Sequence, residues 1–242
     1  MAKSPAQRGV SVQQLHTDYK APEFLAALKL FLNSRLPRDK VVSPMESDQF
    51  NVFNQLYVKI KPSVVTGHDS SWQKIRAKPK VAACGRKAGS PPDLILCLCG
   101  TKDTSREFFG GLIVSTQPHR RRKCALTRIS LQEMRIAQVR VIFKLPDHLG
   151  HYPHPLAYVE WFTSLRRHDP ISGQFIVSHS MWNHQRNVLV ISADRFTCPC
   201  HLQAQCGRNI SSDWTANNML ETASAFHVNS YIDLDTFVAL SH

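Results

Sequence analysis

RIAQVRVIFKL, residues 135–145, is the stretch on which the architecture of this chain turns. Ala137, Val139, Val141 and Phe143 recur at every second position, and an extended backbone sends alternate side chains to opposite faces. The run therefore reads as a strand with those four residues on a buried face. Downstream, 156–163 (LAYVEWFT), 174–181 (QFIVSHSM) and 187–193 (NVLVISA) are each rich in β-branched or aromatic residues. Asp169-Pro170 with Ser172-Gly173 marks a tight turn, and Pro146, Gly150, Pro153 and Pro155 mark a longer loop. Short strands at close spacing predict a mainly β, α+β fold: an antiparallel barrel or sandwich-like domain. Consecutive antiparallel strands are expected over 135–193, with Val139, Val141, Phe143, Val159 and Trp161 buried.

Upstream, Leu56, Val58 and Ile60 alternate with Tyr57, Lys59 and Lys61, which predicts a half-buried strand. Residues 62–92 are interrupted by Pro62, Gly67, Pro79, Gly85, Gly89, Pro91 and Pro92 and read as loop with one short edge strand. The apolar run 93–99 (DLILCLC) predicts a central strand and 110–116 another. Pro22 opens a helical pattern with Phe24, Leu25, Leu28, Phe31 and Leu32 on one side and Lys29 and Asn33 away from it. Thr17 or Asp18 would cap its approach and Pro37 would end it after roughly four turns. Its apolar stripe reads as packing on the domain's own sheet. Residues 1–20 are polar and read as flexible. At the other end, Ser211 or Ser212 is expected to cap a short helix through 214–221, and 226–231 a last strand. The basic segment 21–128 and the β-rich segment 129–242 are expected to form one domain.

The chain has 242 residues, 43% hydrophobic and 20% charged, a globular composition. Its formal charge is +12, and the surplus lies wholly in the first half, where residues 1–123 hold 21 Lys/Arg against 9 Asp/Glu. Polyanion contacts belong there. The seven cysteines form an odd count without a secreted scaffold's framework, and Ala2 to Gln14 lack an apolar signal core. The densest apolar stretch, 24–32, is short and carries Lys29, too little to span a bilayer. An intracellular address with reduced thiols is expected, and no membrane contact.

Several blocks occur in a familiar order: 135–146 (RIAQVRVIFKLP), 156–162 (LAYVEWF), the Asp169-Pro170…Gly173 turn, Cys200-His201-Leu202, Trp214 with Leu220, and 226–233 (FHVNSYID). Over residues 130–240 this order resembles the C-terminal region of fungal Plavaka-type transposases, CACTA-like mobile-element proteins; the likeness is fainter over 20–60. In that family the acidic catalytic core lies upstream of this region, so the resemblance implies an accessory, barrel-like domain. Two departures stand out: the insert around 119–123, and Glu133 where the family keeps a glycine-containing turn. Both fit a degenerate fragment without activity.

No complete catalytic constellation can be assembled from the residues of this sequence. In-line phosphoryl transfer by two metals needs clustered carboxylates, yet the acids here are scattered, and the pair Asp233 with Asp235 sits in a near-terminal turn. Glycine-rich phosphate loops, H-E-x-x-H and G-x-S-x-G are all missing from the sequence. The expectation is a protein without enzymatic activity, cofactor or small-molecule substrate. Cys198, Cys200, His201 and Cys206 have zinc-type donors, but C-x-C-H is tighter than a usual knuckle, and the segment reads as strand and core. His148, His151 and His154 share a three-residue spacing that Pro146, Gly150, Pro153 and Pro155 keep from being helical. Cys97 and Cys99, on one side of a strand, read as packing.

The basic residues are the better functional candidates. Lys74, Arg76, Lys78 and Lys80 alternate, so on extended backbone they project from one face, with Trp72 beside them. A cationic row suits phosphates and an adjacent ring suits an unpaired base; the same row also suits a solvated edge that resists aggregation. His119 leads Arg120, Arg121, Arg122 and Lys123, a run fit for DNA contact or nuclear import. The expectation is a nuclear, transposase-derived domain that contacts DNA or chromatin through these nine residues. Its alternative is a module binding other transposase domains or another protein partner, through the helix around Leu28 or the sheet of the second half.

Overall fold

The computed structural model describes residues 4–35, 43–60, 67, 70–77, 94–98, 134–207, 212–215, 218–231, 236–237 and 240. The first elements are β1 (Gln7–Ser11), α1 (Val12–Tyr19) and α2 (Phe24–Arg35). The first twenty residues were expected to be loose; from Gln7 to Tyr19 they are a strand and a helix. A capping box makes the difference: Gln14 N donates to Ser11 Oγ at 3.2 Å, and Ser11 N donates to Gln14 Oε1 at 3.1 Å. Leu15 and Tyr19, four apart, bury the only apolar stripe so short a helix needs. Thr17 and Asp18 therefore lie inside α1 and do not cap α2. The second helix buries Phe24, Ala27, Leu28, Phe31 and Leu32 over 12 residues, somewhat shorter than its pattern predicts. Its stripe does pack on the domain's own sheet.

Then come β2 (Gln49–Phe53), β3 (Gln55–Ile60), β4 (Ser71–Arg76) and β5 (Leu94–Leu98). The short strand expected within 62–92 is β4, and the central strand expected at 93–99 is β5. After them, β6 (Met134–Lys144) is the longest strand, and β7 (Leu156–Trp161) runs antiparallel beside it. The remaining elements are short: β8 (Arg167–His168), β9 (Phe175–Val177), β10 (Met181–Trp182), β11 (Gln185–Arg186), β12 (Val188–Ser192), β13 (Phe196–Cys200), β14 (Leu202–Ala204), α3 (Met219–Thr222) and β15 (Phe226–Val228). The C-terminal helix is one turn with Asn218, not Ser211 or Ser212, at its N-cap. The expected strand at 110–116 lies outside the described residues.

Seven antiparallel strands form the main sheet. One edge of β6 carries β7, which in turn carries β12. The other edge is shared: β2 pairs with residues 142–144, and β5 with 134–138. Beyond them lie β1 and β13. Among the described residues this sheet ends at β12 on one side and at β1 and β13 on the other, so the fold is sandwich-like, not a closed barrel. Strands from both halves of the chain thus share one sheet.

Val139, Val141, Phe143, Val159 and Trp161 are all buried. Their sorting differs from simple alternation, because the register slips from Val139↔Val159 to Val141↔Tyr158. A β-bulge at Arg140 inserts one residue and reverses the parity of the rest of the strand. Ala137 and Val139 therefore share a face with Ile142, not with Val141 and Phe143. That face is covered by the β3–β4 hairpin through Leu56, Ile75 and Ala77. On the opposite face, Val141, Phe143, Leu156 and Tyr158 meet the two N-terminal helices. Further along that face, Met134, Ile136 and Phe162 meet a second sheet, ordered β14–β15–β9–β8. Residues 135–193 thus do not run as one meander. After β7 the chain leaves for the second sheet at β8 and β9, then returns through the β10–β11 hairpin to β12.

Candidate nucleic-acid interface

The β3–β4 hairpin has a fixed inside and outside. Leu56, Ile75 and Ala77 point into the core, which sends the residues between them to solvent. Trp72 is 65% exposed, Lys74 is exposed and Arg76 is partly exposed, all on the outer face of β4. Register supplies the other half of the surface. Trp72 lies opposite Lys59, Lys74 opposite Tyr57, and Arg76 opposite Gln55. Residues directly opposite in an antiparallel ladder share a face, so Tyr57, 43% exposed, and exposed Lys59 join the row. Three cations and two large rings lie on one two-stranded face, and neither strand contains an acidic residue.

Of the expected binding residues, Trp72, Lys74 and Arg76 are thereby brought together. Lys78, Lys80, Arg120, Arg121, Arg122 and Lys123 lie outside the described residues. Tyr57 and Lys59 were absent from the sequence-based set. Their outward alternation was readable, but not the pairing that joins them to β4.

A second concentration of charge lies inside. Where the bulge turns Arg140 into the gap between the two apolar clusters of one sheet face, its Nε and Nη2 donate to the two carboxylate oxygens of Glu160, both at 2.9 Å. The Arg140 Nη2 also donates to Glu221 of α3 at 2.7 Å. Arg186 of β11 spans the same two acids, at 2.8 Å to Glu160 and 2.9 Å to Glu221. Lys20, at the end of α1, adds a pair to Glu221 at 3.4 Å. Arg186 is aimed there by the tight β10–β11 hairpin, whose two loop residues, Asn183 and His184, have φ of 45° and 63°. Burial would raise the Glu221 carboxyl, but Arg140, Arg186 and Lys20 outweigh it and hold the pKa at about 2. Every carboxylate in this network is already satisfied by guanidinium, a structural arrangement ill suited to moving a proton or holding a cation.

His179 borders the network, stacked on Phe162 at 4.7 Å. Its Nε2 lies 2.6 Å from the Leu220 carbonyl and donates to it. Burial first, then the charge of Arg186, lowers its pKa below the ordinary 6.5. A base depressed in the folded state binds its proton more readily when unfolded, so it stabilises the fold above the ordinary value and less as pH falls. Stability is therefore expected to decline in a first limb below pH 6.5 and in a second between the ordinary 4.5 of Glu221 and about 2. Thermal midpoints measured against pH check this. His179→Gln, which keeps a donor and cannot titrate, should remove the first limb alone; an unchanged limb would assign it elsewhere.

The remaining candidates are packing or surface. Cys198 is buried in the second cluster and Cys200 packs against it, while Cys206 is exposed and its Sγ donates to the Ala204 carbonyl at 3.5 Å. His148 approaches Asp48 at 3.1 Å, and His154 approaches Asp194 at 3.9 Å. Among the described residues no group of three His, Cys, Asp or Glu could hold a metal, and no helix is long and apolar enough to cross a membrane. The side chain of Cys97, and Cys99, Glu133, Asp233 and Asp235, lie outside the described residues. Comparison with family models, curated proteins and solved structures found no match to this chain.

Proposed function

We propose that this chain is a non-catalytic, transposase-derived domain that contacts DNA in the nucleus through a basic surface centred on the outer face of β3–β4. The supporting observation is the alignment of exposed Lys59 and Lys74, with partly exposed Arg76 in the same row, on one face of a hairpin whose two strands contain no acidic residue. A one-signed patch gathers phosphates, and each contact releases condensed counterions. The resemblance of residues 130–240 to the Plavaka-type C-terminal region supplies the biological setting of this reading. The run Arg120, Arg121, Arg122 and Lys123 would add phosphate contacts of its own.

The test is a duplex-DNA titration at two salt concentrations. Log affinity is expected to fall linearly with log salt, by about 0.9 per phosphate neutralised. Replacing Lys59, Lys74 and Arg76 by alanine should weaken binding on all sequences alike, because phosphate contacts position a protein without reading bases. It should also flatten the salt slope. Replacing exposed Arg166 and Arg167, in the charge-balanced half, should change little. Salt-insensitive self-association without DNA binding would instead favour an interaction module.

A further inference from the structure

We infer that the outer face of β3–β4 is built for an unpaired nucleic-acid strand; this rests on the nucleic-acid reading above and names the substrate class. The register sets a checkerboard: Tyr57 faces Lys74, Lys59 faces Trp72, and each ring therefore lies diagonal to the other. Directly opposite positions are about 5 Å apart and diagonal ones roughly 7–8 Å. Two rings and two ammonium groups thus share an area no larger than a nucleotide or two, with Arg76 extending the row along β4.

The rings decide between single and double strand. Phosphate contacts alone call only for cations, and a solvated strand gains nothing by holding Trp72 and Tyr57 in water. A duplex hides its base faces within the stack, so a flat sheet cannot lay an aromatic ring on them. An unpaired strand offers both parts at once, base faces for the rings and phosphates for Lys59, Lys74 and Arg76. Stacking of this kind is indifferent to base identity, since every base has a π face. The hairpin's inner side packs on the core through Leu56, Ile75 and Ala77, so the strands that carry the checkerboard are held in place before any ligand arrives.

The experiment compares an oligo-dT of roughly 8 nucleotides with a duplex, using the full chain at fixed salt. Tighter binding of the single strand is expected. Trp72→Ala and Tyr57→Ala should each weaken it by about five-fold or more, with little effect on duplex. Trp72→Phe, which keeps a ring, should retain most of the affinity. The protein holds 4 tryptophans, and the fluorescence quenched by oligo-dT should vanish in Trp72→Phe. Unchanged thermal midpoints in these surface variants separate lost contacts from lost fold. Equal affinity for both probes, or equal losses on both in Trp72→Ala, would overturn the single-strand inference and leave the DNA reading standing. Binding of neither probe would remove both. Oligo-U in a parallel arm reports whether the sugar matters: comparable binding supports recognition by stacking and phosphate alone.

Discussion

Glu160→Gln is expected to cost the fold about 3–5 kcal/mol, the cost of removing one partner from a buried ion pair. Glu160 is 4% exposed and Arg140 5%, so neither can turn to water when the other is lost. The neutral amide would leave Arg140 and Arg186 facing each other across it, with Glu221 as their one remaining acid in the network. Urea unfolding of the variant measures the loss. Adding Arg140→Met to Glu160→Gln should recover part of it, because Arg186 keeps Glu221 and no unpaired guanidinium remains buried. A double variant as unstable as the sum of the singles would mean that the two side chains act independently.

Phe24→Ala is expected to cost a similar amount, about 3–5 kcal/mol, through a cavity instead of a charge. The ring meets Phe50 at 4.9 Å and Phe143 at 5.0 Å, edge to face, and Tyr158 at 6.0 Å. Those partners come from β2, β6 and β7, so this single residue seats α2 on three strands. Leu30, on the same helix but 53% exposed, provides the contrast: Leu30→Ala should stay within about 0.5 kcal/mol of the parent. Denaturant midpoints of the two variants, compared at equal slope, check both values. Similar losses would show that α2 does not bury the stripe described.

Much of the sheet was legible because period-two alternation is a direct consequence of extended backbone. Val159 and Trp161 of β7, or Leu56 of β3, declare their side by that rule alone. The bulge at Arg140 was not legible. Over 135–145 plain alternation puts Val141 and Phe143 with Ala137 and Val139, and nothing local marks the slip after Arg140 by which Ile142 takes the place that alternation gives to Val141. The opening helix was hidden for another reason: its polar residues outnumber its stripe, although Ser11 and Gln14 carry a readable capping box. At the candidate interface, Trp72, Lys74 and Arg76 were found from their spacing within one strand. Tyr57 and Lys59 required the pairing between strands, which no local pattern encodes. The buried network was beyond sequence reading altogether, since its five residues come from four elements and one helix end, with no characteristic spacing.

The shared edge of β6 also fixes an order of assembly. As the chain leaves the ribosome, β2 and β5 emerge long before the strand that receives them, because their common partner begins at Met134. Until β6 and β7 are synthesised, the pairings open to the described strands of the basic half are local ones, β1 with β2 and β3 with β4. Its remaining strand edges stay open to other chains. A gene fragment ending before Met134 would thus encode a highly cationic polypeptide deprived of its template, while one extending through β7 would carry the template for both waiting strands.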